Sequence, residues 1–293
     1  MNVSVSFSSA VLLCILVSSA HSACAAPVDG ASDSRPVALA GVDAVIPSES
    51  ARENAPIASG AFIATDPLAQ VQLANELLYS DLQNFVCNER IDRYKGPLSG
   101  PEGRRIDTVT SKVSFENGVE QYTGIRQNNR SLPHLSSISG AWSEGEFGTL
   151  LRQTQVLLGS QVVLSRTDTD LNGAPAVLYR FEVSEQDSPW DLDVDARHYR
   201  VPFHTDVWVS SSSRQILKIE RTSTAMPLET RISELRWSVI LDTVELNGKN
   251  WLLPNAGEYE VIYEESHRRE WNLMIFSDYH RYSSEVALRF DTK

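Results

Sequence analysis

Cysteine is scarce in this chain. Its 293 residues contain only Cys14, Cys24 and Cys87. The first two lie in an N-terminal segment that we expect to be removed, so a disulfide framework and any site built from several thiolates are excluded. No histidine lies near Cys87 in the sequence. We therefore interpret Cys87 as a small buried hydrophobe at a helix end rather than as a reactive thiol.

Long apolar runs and an excess of basic residues are absent as well. The unbroken apolar run over 10–17 is far shorter than the roughly 20 residues that span a bilayer, so we predict no transmembrane segment. Acidic residues outnumber Lys and Arg by 38 to 26, which gives a net charge of −12. A chain of this sign is repelled by a phosphate backbone and by an anionic membrane surface. Nucleic acid is therefore not expected as a partner.

The segment 1–25 has the features of a signal peptide. Its apolar run is followed by small residues, and Ala23 and Ala25 fit the A-x-A cleavage rule. The first nine residues contain no Lys or Arg, so only the terminal amine provides positive charge there. We predict an exported protein, periplasmic or secreted. A lipid anchor on Cys24 in the outer envelope is the alternative, although His21 stands where a bacterial lipobox has Leu.

A disordered linker is predicted over 26–64, which is rich in Ala, Ser, Pro and acidic residues and has no apolar period. One globular domain is predicted over 65–293. It opens with a helix that Asp66 can cap and whose apolar residues recur at steps of three and four as far as Phe85. Asn75 is the single polar break in that apolar stripe. We expect this helix to cover one end or one face of a sheet.

A second helix is predicted after Ser143, which has capping-box spacing to Glu146, and it should end at Gly159. The remaining long segments read as strands, with alternating apolar residues and a change of parity near Asp242 that indicates a bulge or a strand buried on both faces. Tight antiparallel hairpins are indicated at three Asn-Gly pairs, at 117–118, 172–173 and 247–248. The predicted fold class is mainly β (α+β), a large curved antiparallel sheet or half-barrel of about ten strands with two helices packed on it.

Motifs that would fix a chemistry are missing. Asp168 begins half of a calcium loop, but the twelfth position is Tyr179 instead of a bidentate Glu, which favours a polar hairpin turn. Asp191, Asp193 and Asp195 alternate along a predicted strand, where a solvated face is favoured over a weak cation site. No phosphate loop, dinucleotide fingerprint or helical zinc spacing is present. We assign no catalytic residue, no metal site and no cofactor.

The order of helix, strands, second helix and long meander, with Asp206–Ser210 running through a short turn into Gln215–Glu220, resembles the LolA-like half-barrel proteins of bacterial envelopes. With Trp251–Pro254 added, the chain is similar to a group of uncharacterised exported bacterial proteins. The resemblance implies an incomplete barrel whose concave face holds acyl chains or a lipidated partner. Four tryptophans in the second half of the chain are candidates for lining such a cavity or for filling a core: Trp208, Trp237, Trp251 and Trp271.

These observations favour an exported, non-enzymatic binding protein that holds a lipid, a lipoprotein segment or another apolar ligand. Such a protein requires an unfilled apolar cavity. A scaffold or interaction module in an envelope complex is the first alternative, and it predicts a filled interior with an exposed apolar patch or an open strand edge. A hydrolase without a recognisable motif is the second, and it predicts a polar cleft with perturbed acids or histidines.

Overall fold

The computed structural model describes residues 3–7, 66–82, 85–100, 102–116, 119–160 and 162–281. Cys24, most of the predicted signal peptide, the predicted linker and residues 282–293 lie outside these ranges. The described residues all belong to one compact unit.

Two α-helices and fifteen strands are present among the described residues. The helices are α1 (Pro67–Leu82) and α2 (Thr149–Ser160). The strands, in chain order, are β1 (Val3–Phe7), β2 (Phe85–Pro97), β3 (Arg104–Glu116), β4 (Val119–Gln127), β5 (Arg130–Ser131), β6 (Ala141–Ser143), β7 (Ser165–Leu171), β8 (Ala174–Val183), β9 (Trp190–Val194), β10 (Arg197–Arg200), β11 (Phe203–Ser210), β12 (Ile216–Ser223), β13 (Glu234–Leu246), β14 (Lys249–Tyr263) and β15 (Arg268–Arg281).

Eleven of these strands make one antiparallel sheet in the order β5-β4-β3-β2-β15-β14-β13-β12-β11-β8-β7. The sheet is curved and does not close, which confirms the predicted fold class. Because side chains alternate along a strand, the central strands bury every second residue on the inner face. In β2, for example, Cys87, Glu89 and Ile91 are buried while Asn88 and Arg90 between them are not. A second sheet has the order β10-β9-β1-β6.

The turns follow from local sequence. Asn172 and Asn247 have φ values of 54° and 53°, and each is followed by a glycine with positive φ, as a tight hairpin requires. The predicted hairpins β7-β8 and β13-β14 are therefore confirmed; the turn between β3 and β4 lies outside the described residues. The predicted bulge is confirmed too, because the register of β13 against β14 shifts between Ile240 and Leu241. It accommodates Pro254, which cannot donate to a sheet hydrogen bond.

The first helix begins as predicted, and its polar break has a structural reason. Asp66 Oδ1 accepts a hydrogen bond of 3.0 Å from Leu68 N. Asn75 is fully buried, and its side chain donates to Arg214 O at 2.9 Å and accepts from Ile216 N at 2.9 Å. It thereby fastens α1 to the turn between β11 and β12. The predicted extension to Phe85 was wrong, since α1 ends at Leu82 and Phe85 opens β2, which also places Cys87 in a strand rather than at a helix end.

The predicted start of the second helix was wrong as well. Ser143 ends β6, and α2 begins only at Thr149. Its first amides are bound from another strand: Glu120 Oε1 accepts hydrogen bonds from Gly148 N at 2.7 Å and Thr149 N at 2.8 Å. Gly148 also sits so close to β3 that an added Cβ would lie 2.5 Å from Phe115 Cδ2. A distant carboxylate caps this helix, and no capping-box spacing can reveal that.

The edges of the large sheet differ from its centre. One edge, β5, has only two residues. The other, β7, has six exposed positions out of seven and carries Arg166, Asp168 and Asp170. Edges that are short or charged are poor templates for another strand.

Candidate functional site

One row of inward-facing residues crosses seven neighbouring strands of the large sheet. We call it the inner row. Its members are paired one to the next by the sheet register from β11 to β3, and all are buried. In order they are Thr205, Arg221, Trp237, Tyr259, Asn272, Arg93 and Asp107. Trp237 apart, all of these residues have a polar or charged side chain, so a polar band crosses an otherwise apolar interior.

At the β2-β3 end of the inner row, the polar groups bind one another and a loop. Arg93 forms a two-pronged ion pair with Asp107, with N–O distances of 2.7 Å and 2.9 Å. Its remaining donors reach the backbone oxygens of Ser139 and Ala141 at 2.8 Å and 3.1 Å. Asn272 also donates to Ala141 O at 3.2 Å. The guanidinium beside Asp107 contributes to a lowered pKa for that carboxyl, against the opposing effect of its desolvation. This end is a structural clamp on β6.

At the other end of the inner row, Arg221 is fully buried among aromatic rings. Its guanidinium carbon lies 4.5 Å from the ring centre of Phe203 and 5.9 Å from that of Trp237. Arg221 Nη1 donates to Gln153 Oε1 of α2 at 2.6 Å. Burial lowers the pKa of the Arg221 guanidinium. A cation in such surroundings favours polar or anionic groups close by.

Several buried polar atoms around Arg221 have no hydrogen-bond partner among the described residues. They are Thr205 Oγ1, Tyr259 OH and Trp190 Nε1. Thr205 and Tyr259 belong to the inner row, and Trp190 of β9 stacks on Trp237 with ring centres 6.5 Å apart. Thr205 and Tyr259 are separated by three strand spacings, or roughly 14 Å. Because unpartnered buried polar atoms are uncommon in folded proteins, they mark the β11-β14 part of the inner row as a candidate binding site.

A second concentration of polar groups lies at the start of α2. Glu89 and Glu146 are buried, and Glu89 accepts a 2.9 Å hydrogen bond from Ser111 Oγ. Burial raises the pKa of Glu89 to about 8, and it raises that of Glu146 well above its usual value, assisted by the charges of Glu89 and Glu120. Tyr122 donates a hydrogen bond to Glu120, whose charge acts on both Glu89 and Glu146, so these acids form one interacting group.

A cleft opens beside this acidic group. It has a volume of about 380 Å³ and is lined in part by Tyr122, His134, Trp142 and Glu144. Burial, with the charges of Glu120 and Asp193, raises the pKa of Glu144 to about 7. A carboxyl that titrates near neutrality can give or take a proton at physiological pH. The cleft therefore fits the hydrolase alternative.

The four tryptophans proposed as cavity candidates are distributed over both faces of the large sheet. Trp237 lies on the inner face, and Trp251 is partly buried against Phe85 with ring centres 5.2 Å apart. Trp208 and Trp271 occupy outward register positions, where Trp208 lies under the amine of Lys218 and Trp271 stacks on a tyrosine and an arginine. The structure brings only Trp237 into the inner row.

The other polar groups weighed from the sequence have ordinary partners. Asp170 Oδ1 accepts a 2.7 Å hydrogen bond from Gly173 N, so the half calcium loop is a hairpin turn. Asp191 and Asp193 share His198, at 3.2 Å and 3.0 Å. Leu192 and Val194 face the core, as alternation along a strand predicts, but Asp191 is buried as well, so the predicted solvated face was wrong at that position. Over the ranges that the structure describes, no cluster of three or more His, Cys, Asp or Glu side chains suits a metal ion. Within the same ranges, neither helix has the length and apolar character of a membrane span.

Comparison with known proteins gives few relatives. No family model matches the chain, and no curated protein matches it. Solved structures do match, among them the crystal structure of a DUF1329 family protein from Desulfovibrio piger. That protein is 10% identical, the match covers 76% of this chain and 95% of the other, and the TM-score is 0.36. This similarity does not assign the chain to that family.

One residue of the inner row has a local signal in the sequence. Arg221 stands two residues after Ile219 in a strand, so the alternation that buries Ile219 buries Arg221 as well. Arg221, Arg93 and Glu120 each bind groups that lie far away in the sequence, so no local pattern identifies those partners. The acids at the start of α2 were likewise not singled out.

Proposed function

We propose that this chain is an exported, non-enzymatic binding protein that holds an amphipathic ligand, a lipid or a lipidated segment, at the concave face of its half-barrel. The observation that carries the proposal is the set of buried polar atoms without partners around Arg221. Leaving such an atom unpaired costs about 1–3 kcal/mol, and a ligand head group that supplies hydrogen bonds removes that cost. The aromatic rings beside it suit an acyl chain.

Two further observations support this assignment over its alternatives. The sheet is open and curved, as the resemblance to LolA-like carriers implies. The scaffold alternative predicts an exposed apolar patch or an open strand edge, and both edges of the large sheet are poor templates, since β7 is polar and β5 has two residues. The hydrolase alternative rests on the cleft at Glu144, and there Glu144→Gln should abolish any hydrolysis if that alternative holds.

The test is native mass spectrometry, with lipid extraction, of the protein purified from the envelope fraction of its own host. We expect one acyl-chain ligand per chain. Tyr259→Phe and Thr205→Val remove one unpartnered polar atom each and should reduce ligand occupancy without loss of stability, because neither atom bonds to the described chain. A ligand-free mass under gentle conditions would contradict the proposal and favour the scaffold alternative.

Tyr279→Phe is the matched control. Tyr279 is a buried tyrosine like Tyr259, but its hydroxyl donates to Pro254 O. Removing that hydroxyl should lower stability by about 1 kcal/mol and leave ligand occupancy unchanged. If Tyr259→Phe and Tyr279→Phe behave alike, the unpartnered hydroxyl has no part in binding.

A further inference from the structure

The strand β1 lies at the centre of the small sheet. It runs parallel to β6 over Val3–Val5 and antiparallel to β9 over Val3–Phe7. A central strand uses its backbone groups on both sides. Among the described strands, β6 and β9 both pair with β1 and not with each other. Taking β1 away leaves a slot with one unpaired strand edge on each side.

The register gives this slot a definite chemistry. Trp190, Leu192 and Val194 of β9 are all buried on the core side. The β1 positions paired with them hold Phe7, Val5 and Val3 in that order. The positions paired with Asp191 and Asp193 hold serines. The slot therefore matches an extended segment of five residues with apolar residues at positions one, three and five.

The segment that fills the slot belongs to the predicted signal peptide. Removal of 1–25 would take β1 with it and expose the edges of β6 and β9. Exposed strand edges bind extended segments by adding them to the sheet, with alternate side chains setting specificity. We infer that the space between β6 and β9 is a strand-binding slot, occupied by Val3–Phe7 in the precursor and by an extended, alternately apolar segment of a partner protein after export. The slot adjoins the inner row, because Trp190 of β9 stacks on Trp237, but it is defined by backbone pairing and its test does not require the proposed ligand.

The protein for the test is isolated from the envelope of its host, and its intact mass gives the N-terminus. The probe is a fluorescent synthetic peptide that repeats residues 2–8. We expect the mature protein to lack residues 1–7 and to bind this peptide saturably by fluorescence anisotropy. A peptide of the same composition with its three apolar residues consecutive is the control, and it should bind at least about tenfold more weakly, because it cannot place all three on one face. Retention of residues 1–7 in the isolated protein would overturn the inference.

N-methylated peptides distinguish a slot from an ordinary sheet edge. Backbone amides of successive residues point to opposite sides of a strand. A site with one strand edge therefore tolerates an N-methyl group at every second residue, where the amide points away from that edge. A two-sided slot tolerates it at no residue. We expect N-methylation at the Val5 position and at the Ser4 position each to weaken binding by about tenfold or more. The inference would be overturned if only one of the two N-methylated peptides bound more weakly, or if the control peptide bound equally well. It would also be overturned if the protein did not bind the peptide at all, or if it were a dimer that the peptide dissociates.

Discussion

Arg221 and Gln153 meet inside the domain, where Arg221 Nη1 donates a hydrogen bond of 2.6 Å to Gln153 Oε1. The guanidinium comes from the large sheet and the amide from α2, so the bond spans the interior. Both side chains are buried. The position of α2 over the sheet is therefore coupled to a single buried cation.

This coupling predicts an asymmetric response to substitution. Gln153→Leu leaves the buried charge without its amide acceptor and should cost about 2–4 kcal/mol in the free energy of unfolding. Arg221→Met removes the charge while keeping apolar volume and should cost less than about 1 kcal/mol. Urea unfolding at neutral pH measures both. Equal losses in the two variants would show that the guanidinium stabilises the fold in its own right.

The buried Glu89 predicts that stability falls as the pH rises. Its pKa is raised from 4.5 to about 8, so below pH 4.5 the carboxyl is protonated in the folded and the unfolded states alike. Between these two values the unfolded state releases the proton and the folded state keeps it. Stability is lost over that window by at most about 1.4 kcal/mol per pH unit.

Glu89→Gln removes this titration and keeps an acceptor for Ser111. The variant should resemble the wild type near pH 4 and become the more stable protein by a few kcal/mol near pH 8. Urea titrations at four or five pH values follow the difference. Glu182→Gln, at an exposed position, is the control and should track the wild type throughout. Parallel curves for Glu89→Gln and the wild type would refute the proposed titration.

For the buried pair Arg93–Asp107 we predict that the effects of the two substitutions on the free energy of unfolding are strongly non-additive. Both side chains are at least 95% buried, so Arg93→Met should cost about 3–5 kcal/mol by stranding a carboxylate. Adding Asp107→Leu should recover part of that loss. The exposed pair of Arg90 and Asp92 is the comparison, and there Arg90→Met should cost less than about 1 kcal/mol. A double-mutant cycle with no coupling would show that the clamp on β6 contributes nothing.

We predict that Glu120 stabilises the first turn of α2. Glu120→Ala removes the acceptor for Gly148 N and Thr149 N and should cost about 1–2 kcal/mol. Glu120→Gln keeps an acceptor but removes the charge, so its cost should be less than half as large. Hydrogen exchange at Gly148 and Thr149 locates the effect. Unchanged exchange in Glu120→Ala would mean that these amides are protected by other groups.

Local features of the fold could be predicted from the sequence, and long-range ones could not. The hairpin at Asn172, the bulge near Leu241 and the cap at Asp66 depend on neighbours in the chain. The start of α2 depends on Glu120, which lies 29 residues before Thr149. The inner row depends on the longest-range contacts, since Thr205 and Asp107 come into one row through the pairing of all the strands between them.

The two edge strands of the large sheet affect how readily the protein aggregates at high concentration. A sheet of eleven strands with free edges could otherwise grow by adding copies of itself, as fibrils do. The charged β7 and the two-residue β5 oppose such growth. We therefore expect the open sheet to resist cross-β assembly at high protein concentration.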